Sequence, residues 1–445
     1  MAKRARRILG ALVALVLLAL VGGYWYERPL LLTGTGYAAH NACAVRLVAG
    51  RDDPASDLPS NPLVPHLRES RDGDAVTGSL RGVLARQRAY YTEGYGCTLA
   101  GAAPKFPAPP AVSDAGNPFA KAAAPAAAPA VGAALGRAFG DDLDAAGRKR
   151  LGTRAVVVVH RGELVAERYA EGFGPQTPQL GWSMAKSVTN LLVGRAVHQG
   201  VAWTSDAGLR PEWTGAKATI TVDQLMRMTS GLSWDETYEL GTPITTMLYR
   251  EPNMAAYAAS LELAHEPGTY QQYSSGSTNI LCAYLREKLS AGPELPVTQL
   301  FSELGLASAT WEPDATGTPV CSSYLWATPR DWAALGQFAL DGGHWHGTQL
   351  LPQDWMADST RVQAVAESEE QGYAAGWWTN READGSIIDR DLPADAYWMQ
   401  GHDGQRVIIV PSADLVVVRM GFSPDAEAEE LRITPLISDL VNDLG

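Results

Sequence analysis

Ser183 and Lys186 stand three residues apart in the run Gly181-Trp-Ser-Met-Ala-Lys-Ser-Val-Thr-Asn190, where a helix should begin. Three residues are nearly one helical turn, so both side chains share a face and the amine can reach the hydroxyl. A serine hydroxyl is a weak nucleophile at neutral pH, and a lysine becomes its base when desolvation or nearby positive potential holds it largely neutral. The start of a helix supplies part of that potential. The chemistry implied is attack on a carbonyl to give an acyl-enzyme that water then hydrolyses. A serine there would also serve as an ordinary helix N-cap, so the pair gains meaning from what accompanies it.

Two further segments follow in order. Glu266-Pro-Gly-Thr-Tyr-Gln-Gln-Tyr273-Ser-Ser275-Gly-Ser-Thr-Asn279 precedes an apolar run, Ile280 to Leu285, that predicts a helix; Gly401-His402-Asp-Gly404-Gln405 falls between runs of strand type. The three pieces together resemble the serine beta-lactamase and penicillin-binding-protein superfamily. There a lysine or a tyrosine is the base, a Tyr-x-Asn or Tyr-x-Ser tripeptide lines one wall of the site, and a Lys-Thr-Gly or His-x-Gly strand lines the other. Ile220 to Leu232, and Ala327-Thr-Pro-Arg-Asp-Trp332 with Gly342-Gly343, extend the resemblance over about residues 110 to 445. Asp235-Glu-Thr-Tyr238 and Tyr273-Ser-Ser275 are similar to class C-like hydrolases of the 6-aminohexanoate-dimer type and related esterases.

The resemblance implies Ser183 as nucleophile, with Lys186 or Tyr273 as the resting base. It places the oxyanion hole at the backbone amides of Ser183 and Gln405, fixed donors for a developing negative charge. Gly404 would let substrate run close to the strand. His402 takes the place of the beta-lactamase lysine and Ser275 that of an asparagine, so recognition of a β-lactam carboxylate and side-chain amide is weakened and efficient penicillin hydrolysis is not expected. Trp182, Trp234, Tyr238, Trp377, Trp378 and Trp398 suit an aromatic-lined cleft or, equally, simple core packing. Tyr238 matches a loop tyrosine that helps hold the scissile group in amide-hydrolysing relatives. The substrate is a small-molecule ester or amide; no cofactor is called for.

Other readings fare worse. Gly181-Trp-Ser183-Met-Ala185 as the nucleophile elbow of an α/β-hydrolase needs a strand directly before it, and Gly172-Phe-Gly-Pro-Gln-Thr-Pro-Gln-Leu180 is no strand. His344-Trp-His346 has no partner acid or cysteine nearby and reads as a turn rather than a metal site. A non-catalytic sensor, or a cell-wall D-peptidase, would use the same residues. The formal charge of −13 argues against a nucleic-acid partner, whose phosphate backbone needs an extended basic face.

Positioning such a site takes a sizeable core, which 445 residues with 46% hydrophobic content provide. Arg154 to His160, a turn at Arg161-Gly162 and Glu163 to Tyr169 predict a β-hairpin; Tyr397 to Gln400, Gln405 to Val410 and Leu415 to Met420 predict three more strands, and Ala426 to Leu444 a closing helix. Helical spacing marks Val131 to Asp144. Strands at both ends with helices between imply an α+β domain over 130–445, one antiparallel sheet flanked by helices with an inserted helical region. The resemblance implies the same beta-lactamase/transpeptidase-like architecture.

Lys3, Arg4, Arg6 and Arg7 precede an uncharged apolar run, Ile8 to Val21, extended by Tyr24, Trp25 and Tyr26. Residues 1–26 therefore read as a membrane anchor with a cytoplasmic N-terminus; the rival, a signal peptide, lacks a small-x-small cleavage site here. Residues 27–100 form a small segment with an amphipathic stretch from Val76 to Tyr91, and 101–129 an Ala/Pro-rich linker over the surface. Outside the membrane, Cys43 and Cys97 would pair as a disulfide. Cys282 and Cys321 read more readily as free core thiols than as a pair, and the sequence leaves pairing open.

Overall fold

The computed structural model describes residues 2–59, 61–123 and 125–445, without the side chains of Ala2 and Lys3. One helix, α1 (Ala2–Leu47), runs unbroken through the expected boundary at residue 26. Its first half, apolar beyond Arg7, is mostly exposed, and its second half, from Thr33, is mostly buried. Pro29, which removes one helical hydrogen bond, falls where the two halves meet.

The stretch from Val76 to Tyr91 is two strands, not one amphipathic element. β1 (Leu67–Asp72), β2 (Ala75–Leu80), β3 (Leu84–Thr92) and β4 (Gly96–Leu99) form an antiparallel meander. Its buried face packs Val76, Ala89 and Cys97 against Ala39, Ala42 and Cys43 of α1, and Cys43 and Cys97 are joined in a disulfide. The meander is docked on the main domain through Glu312, whose buried carboxylate accepts from Cys97 N–H at 2.7 Å and Trp326 Nε1 at 3.0 Å and lies 2.8 Å from His40 Nε2. Arg154 and Arg51 both grip Asp57, at 2.5 and 2.6 Å.

The expected sheet of the main domain is present. After α2 (Pro129–Ala138) come β5 (Thr153–His160) and β6 (Glu163–Tyr169), then the central helix α3 (Met184–His198), α4 (Ser275–Lys288) and α5 (Pro329–Leu340). The chain closes with β7 (Trp378–Thr379), β8 (Tyr397–Gly401), β9 (Gln405–Val410), β10 (Leu415–Gly421) and α6 (Ile433–Leu444). The sheet order is β7-β8-β9-β10-β5-β6, antiparallel throughout.

Alternation along the strands explains their near-continuous apolar sequence. Val156, Val158, Ile408 and Val417 face α2 and α6; Val157, Val159, Val407 and Val416 face α3, α5 and the helical region. Helix α6 starts later than the sequence suggests, because Arg432 adopts a left-handed φ of 58° and breaks the helix there. Cys282 and Cys321 are joined in a disulfide between α4 and the loop that leads into the short strand Leu325–Ala327, where the sequence favoured free thiols. Their spacing of 39 residues carries no pairing signal; the packing of that loop over α4 brings them together.

Candidate active site

Ser183 sits at the start of α3, reached through a strained turn. Trp182 holds φ at +48°, a region sparsely populated by side chains of its size. Neither glycine flanking the turn could carry a side chain: a Cβ on Gly181 would stand 2.2 Å from the Trp332 ring, and one on Gly401 2.1 Å from the Gly181 carbonyl oxygen. The nucleophile turn is thereby pressed against the end of β8.

Lys186, one turn along α3, is almost wholly buried. Its Nζ lies 2.9 Å from Ser183 Oγ and 2.9 Å from Ser275 Oγ, and it donates to Ser322 O at 3.3 Å. Burial lowers its pKa from 10.5 to about 8, against the pull of the Glu236 carboxylate 3.8 Å away. About one amine in ten is therefore neutral at pH 7, far more than for an ordinary lysine, with its lone pair within reach of the serine proton.

Tyr273 lies across the cleft, with Lys186 Nζ 4.6 Å from its ring centre. Burial, Tyr373 and Glu236 hold its hydroxyl well above the usual phenol range, and only a hydrogen bond with Ser183 works the other way. It is a protonated phenol at neutral pH, suited to give a proton rather than take one.

Glu236 is the member sequence reasoning missed. It accepts from Ser275 Oγ at 2.5 Å, from Ser275 N–H at 2.9 Å and from Trp234 Nε1 at 2.5 Å. The sequence offered one signal, an acid inside the aromatic segment Trp234-Asp-Glu-Thr-Tyr238, which no periodicity ties to Lys186. The cleft above these residues has a volume of about 790 Å³ and is lined by Ser183, Trp234, Tyr238, Tyr273, Trp378 and His402, with carboxylates of Asp235, Glu236, Glu369 and Glu370. Of the described lining residues none is Lys or Arg.

A family model described as Beta-lactamase matches residues 137–439, two thirds of the chain. The chain belongs to the beta-lactamase family. A 6-aminohexanoate-dimer hydrolase of Paenarthrobacter ureafaciens is 26% identical over 300 residues, 62% of this chain and 74% of that protein. Among solved structures, a penicillin-binding-protein homologue from Caulobacter crescentus (TM-score 0.54, 17% identity, 72% of this chain and 99% of that one) and a family VIII carboxylesterase (TM-score 0.53, 16% identity, 70% and 97%) share the fold. The protein is a hydrolase of the serine beta-lactamase superfamily.

Within this beta-lactamase fold, several expected placements change. Ser275 is fully buried and does not line the cleft; its hydroxyl links Lys186 to Glu236. Gly404 faces away from substrate space, since a Cβ there would stand 2.5 Å from Arg419 Nη1, which donates to Gly404 O at 2.7 Å. The Gln405 N–H is spent on His402 O, closing the turn 402–404, and so is not free as an oxyanion donor. Strand parity offers a replacement. Asn380 N–H bonds Ala396 O on the β7 edge of β8, and alternation carries that edge through Trp398 and Gln400 to His402, beside Ser183. Neither the Ser183 nor the His402 N–H donates to another described residue.

The aromatics divide. Trp234, Tyr238 and Trp378 line the cleft, and Trp182 packs edge-on against Tyr238 and His402, at 6.1 and 5.9 Å. Trp377 is core, its Nε1 on Asn190 Oδ1 at 3.1 Å, and Trp398 packs on the opposite face of the sheet beside α2 and α6. His344 opens a short hairpin and His346 sits in its turn, where Nε2 lies 2.8 Å from Gly116 O.

Proposed function

We propose that this chain is a membrane-anchored serine hydrolase that cleaves an ester or linear amide through an acyl-enzyme on Ser183. The observation that carries this reading is the desolvated Lys186 amine, 2.9 Å from Ser183 Oγ at the foot of an open cleft. Neutral Lys186 takes the Ser183 proton as Oγ attacks the substrate carbonyl carbon. The N–H groups of Ser183 and His402 meet the oxyanion. As the tetrahedral species collapses, the C–O or C–N bond breaks and the leaving alkoxide or amine takes a proton from Tyr273 or Lys186. Water then attacks the ester carbonyl with the same groups in reverse, releasing the acid and restoring Ser183.

Linear substrates are favoured over β-lactams by the charge of the cleft. A penicillin brings a carboxylate, and the lining offers four carboxylates with only His402 to receive it. Likeness to a 6-aminohexanoate-dimer hydrolase favours the amide branch; the esterase branch uses the same groups. In the anchored arrangement the exposed run of α1 crosses the bilayer, Trp25 and Tyr26 mark its outer interface, and the hydrolase lies outside.

A p-nitrophenyl ester and 6-aminohexanoate dimer, each offered to wild type and Ser183→Ala, test the assignment. Sustained turnover lost in Ser183→Ala is the expected result. Release of one equivalent with no further turnover would instead establish an acyl-binding sensor.

A further inference from the structure

Behind one wall of the catalytic cleft lies a second, more enclosed cavity of about 240 Å³. The two share Tyr238 and His402, whose rings stack 4.5 Å apart at an interplanar angle of 14°. These two rings thus border both the space at Ser183 and this chamber. The remaining wall is mostly apolar, with Tyr37 from α1, Leu63 and Val64 from the N-terminal segment, and Leu240 and Tyr249 from the hydrolase. The hydroxyl of Tyr238 is buried with no partner among the described residues, although a chamber built only for packing would satisfy or omit it. Swinging Tyr238 aside breaks no hydrogen bond of its own.

The chamber also lies close to the membrane level that the anchor sets. Thr33 and Gly34 of α1 line it, and the helix rises roughly 14 Å from the exposed Trp25 to Gly34. The turn between β2 and β3 marks the same level. The Tyr24 hydroxyl accepts the Ala85 N–H at 3.0 Å, so Val83 and Leu84, 72% and 40% exposed, lie beside the aromatic end of the apolar run. Arg81 and Arg86 flank these two residues, as suits a loop tip seated among lipid headgroups.

We infer that this chamber is the hydrocarbon subsite for an amphiphilic ester or amide taken from the membrane surface, its acyl chain running from Ser183 past Tyr238 toward α1. The inference rests on the proposed serine-hydrolase reading and names its substrate class. A methylene takes up about as much space as a water, ~30 Å³, so the chamber holds a medium chain of roughly eight carbons. Each methylene buried there raises kcat/KM roughly fourfold until the space is full.

The test uses the full-length protein in phosphatidylcholine nanodiscs with p-nitrophenyl esters from acetate to dodecanoate. kcat/KM climbs to about the octanoate and then levels. Leu63→Trp and Leu240→Trp, filling the chamber from the N-terminal segment and from the hydrolase, each lower the octanoate-to-acetate ratio of kcat/KM by roughly tenfold or more; a ratio is blind to the fraction of folded enzyme. An unchanged ratio in both overturns the inference. Calorimetric titration of Ser183→Ala with octanamide separates the two readings. Octanamide binding that Leu240→Trp removes, without turnover of any ester by wild type, keeps the chamber and sinks the hydrolase. Ser183-dependent turnover blind to chain length, with no octanamide binding, does the reverse.

Discussion

Ser275 gives its hydroxyl proton to Glu236 across 2.5 Å while receiving Lys186 Nζ at 2.9 Å, so a carboxylate acts on the lysine through one buried oxygen. Two opposing effects meet at that amine. Burial pushes the proton off and Glu236 holds it on, leaving the pKa at about 8.

Activity should follow that balance. Lys186 takes a proton only when neutral, so kcat/KM rises about tenfold per pH unit below the Lys186 pKa of about 8 and flattens above it. Glu236→Gln removes the charge that holds the proton on, and the midpoint moves to lower pH. A pH profile on p-nitrophenyl acetate, corrected for spontaneous hydrolysis, reads both. A midpoint unmoved in Glu236→Gln would show that the carboxylate has no hold on Lys186.

Ser275→Ala keeps Ser183, Lys186 and Tyr273 but cuts the link, leaving two of Glu236's three donors. The expected outcome is a fall of about tenfold or more in kcat, in line with a displaced base, with KM for a short ester little changed. A loss confined to KM would return Ser275 to the substrate-binding role that its place in the Tyr-x-Ser motif implies.

His402→Lys puts a permanent cation into a cleft whose described lining has none. Acylation by benzylpenicillin, followed by mass spectrometry of the intact protein, should rise by roughly tenfold, the scale of one charge-assisted hydrogen bond. Unchanged acylation would show that charge at this position does not set the preference against β-lactams.

Removing residues 1–27 takes away exposed helix and the Tyr24 bond to Ala85 N–H, and should give a soluble protein with a thermal midpoint within a few degrees of the parent. Removing 1–48 strips Ala39, Ala42 and Cys43 from the meander's core and should yield aggregate. Equal folding of both truncations would mean that the second half of α1 is dispensable.

The disulfides close loops with sequence separations of 54 and 39 residues, each worth about 4 kcal/mol on a loop-entropy basis. Cys282→Ser with Cys321→Ser should lower the midpoint of chemical unfolding accordingly, whereas a loss below about 1 kcal/mol would show that burial of the two side chains, rather than the cross-link, holds the loop on α4.

The sequence by itself determined whatever is local or periodic. Ser183 and Lys186 share a face because they share a helical turn, and β5, β6, β9 and β10 are legible because apolar runs bounded by turns have few other folds. Tyr273 was found through its flanking motif. What the sequence left open are meetings between segments distant along the chain, Glu236 with Lys186 through Ser275 and Cys282 with Cys321, and the local turn that ties the Gln405 N–H to His402 O and makes His402 the proposed oxyanion donor instead. That last shift is set by the Asp403 backbone, which turns left-handed at φ 58° and consumes the Gln405 N–H. The reach of α1 beyond residue 26, and the chamber it closes with the hydrolase, depended on tertiary structure for the same reason. A contact across 200 residues leaves no period in either segment, and only packing decides which buried polar atoms find one another.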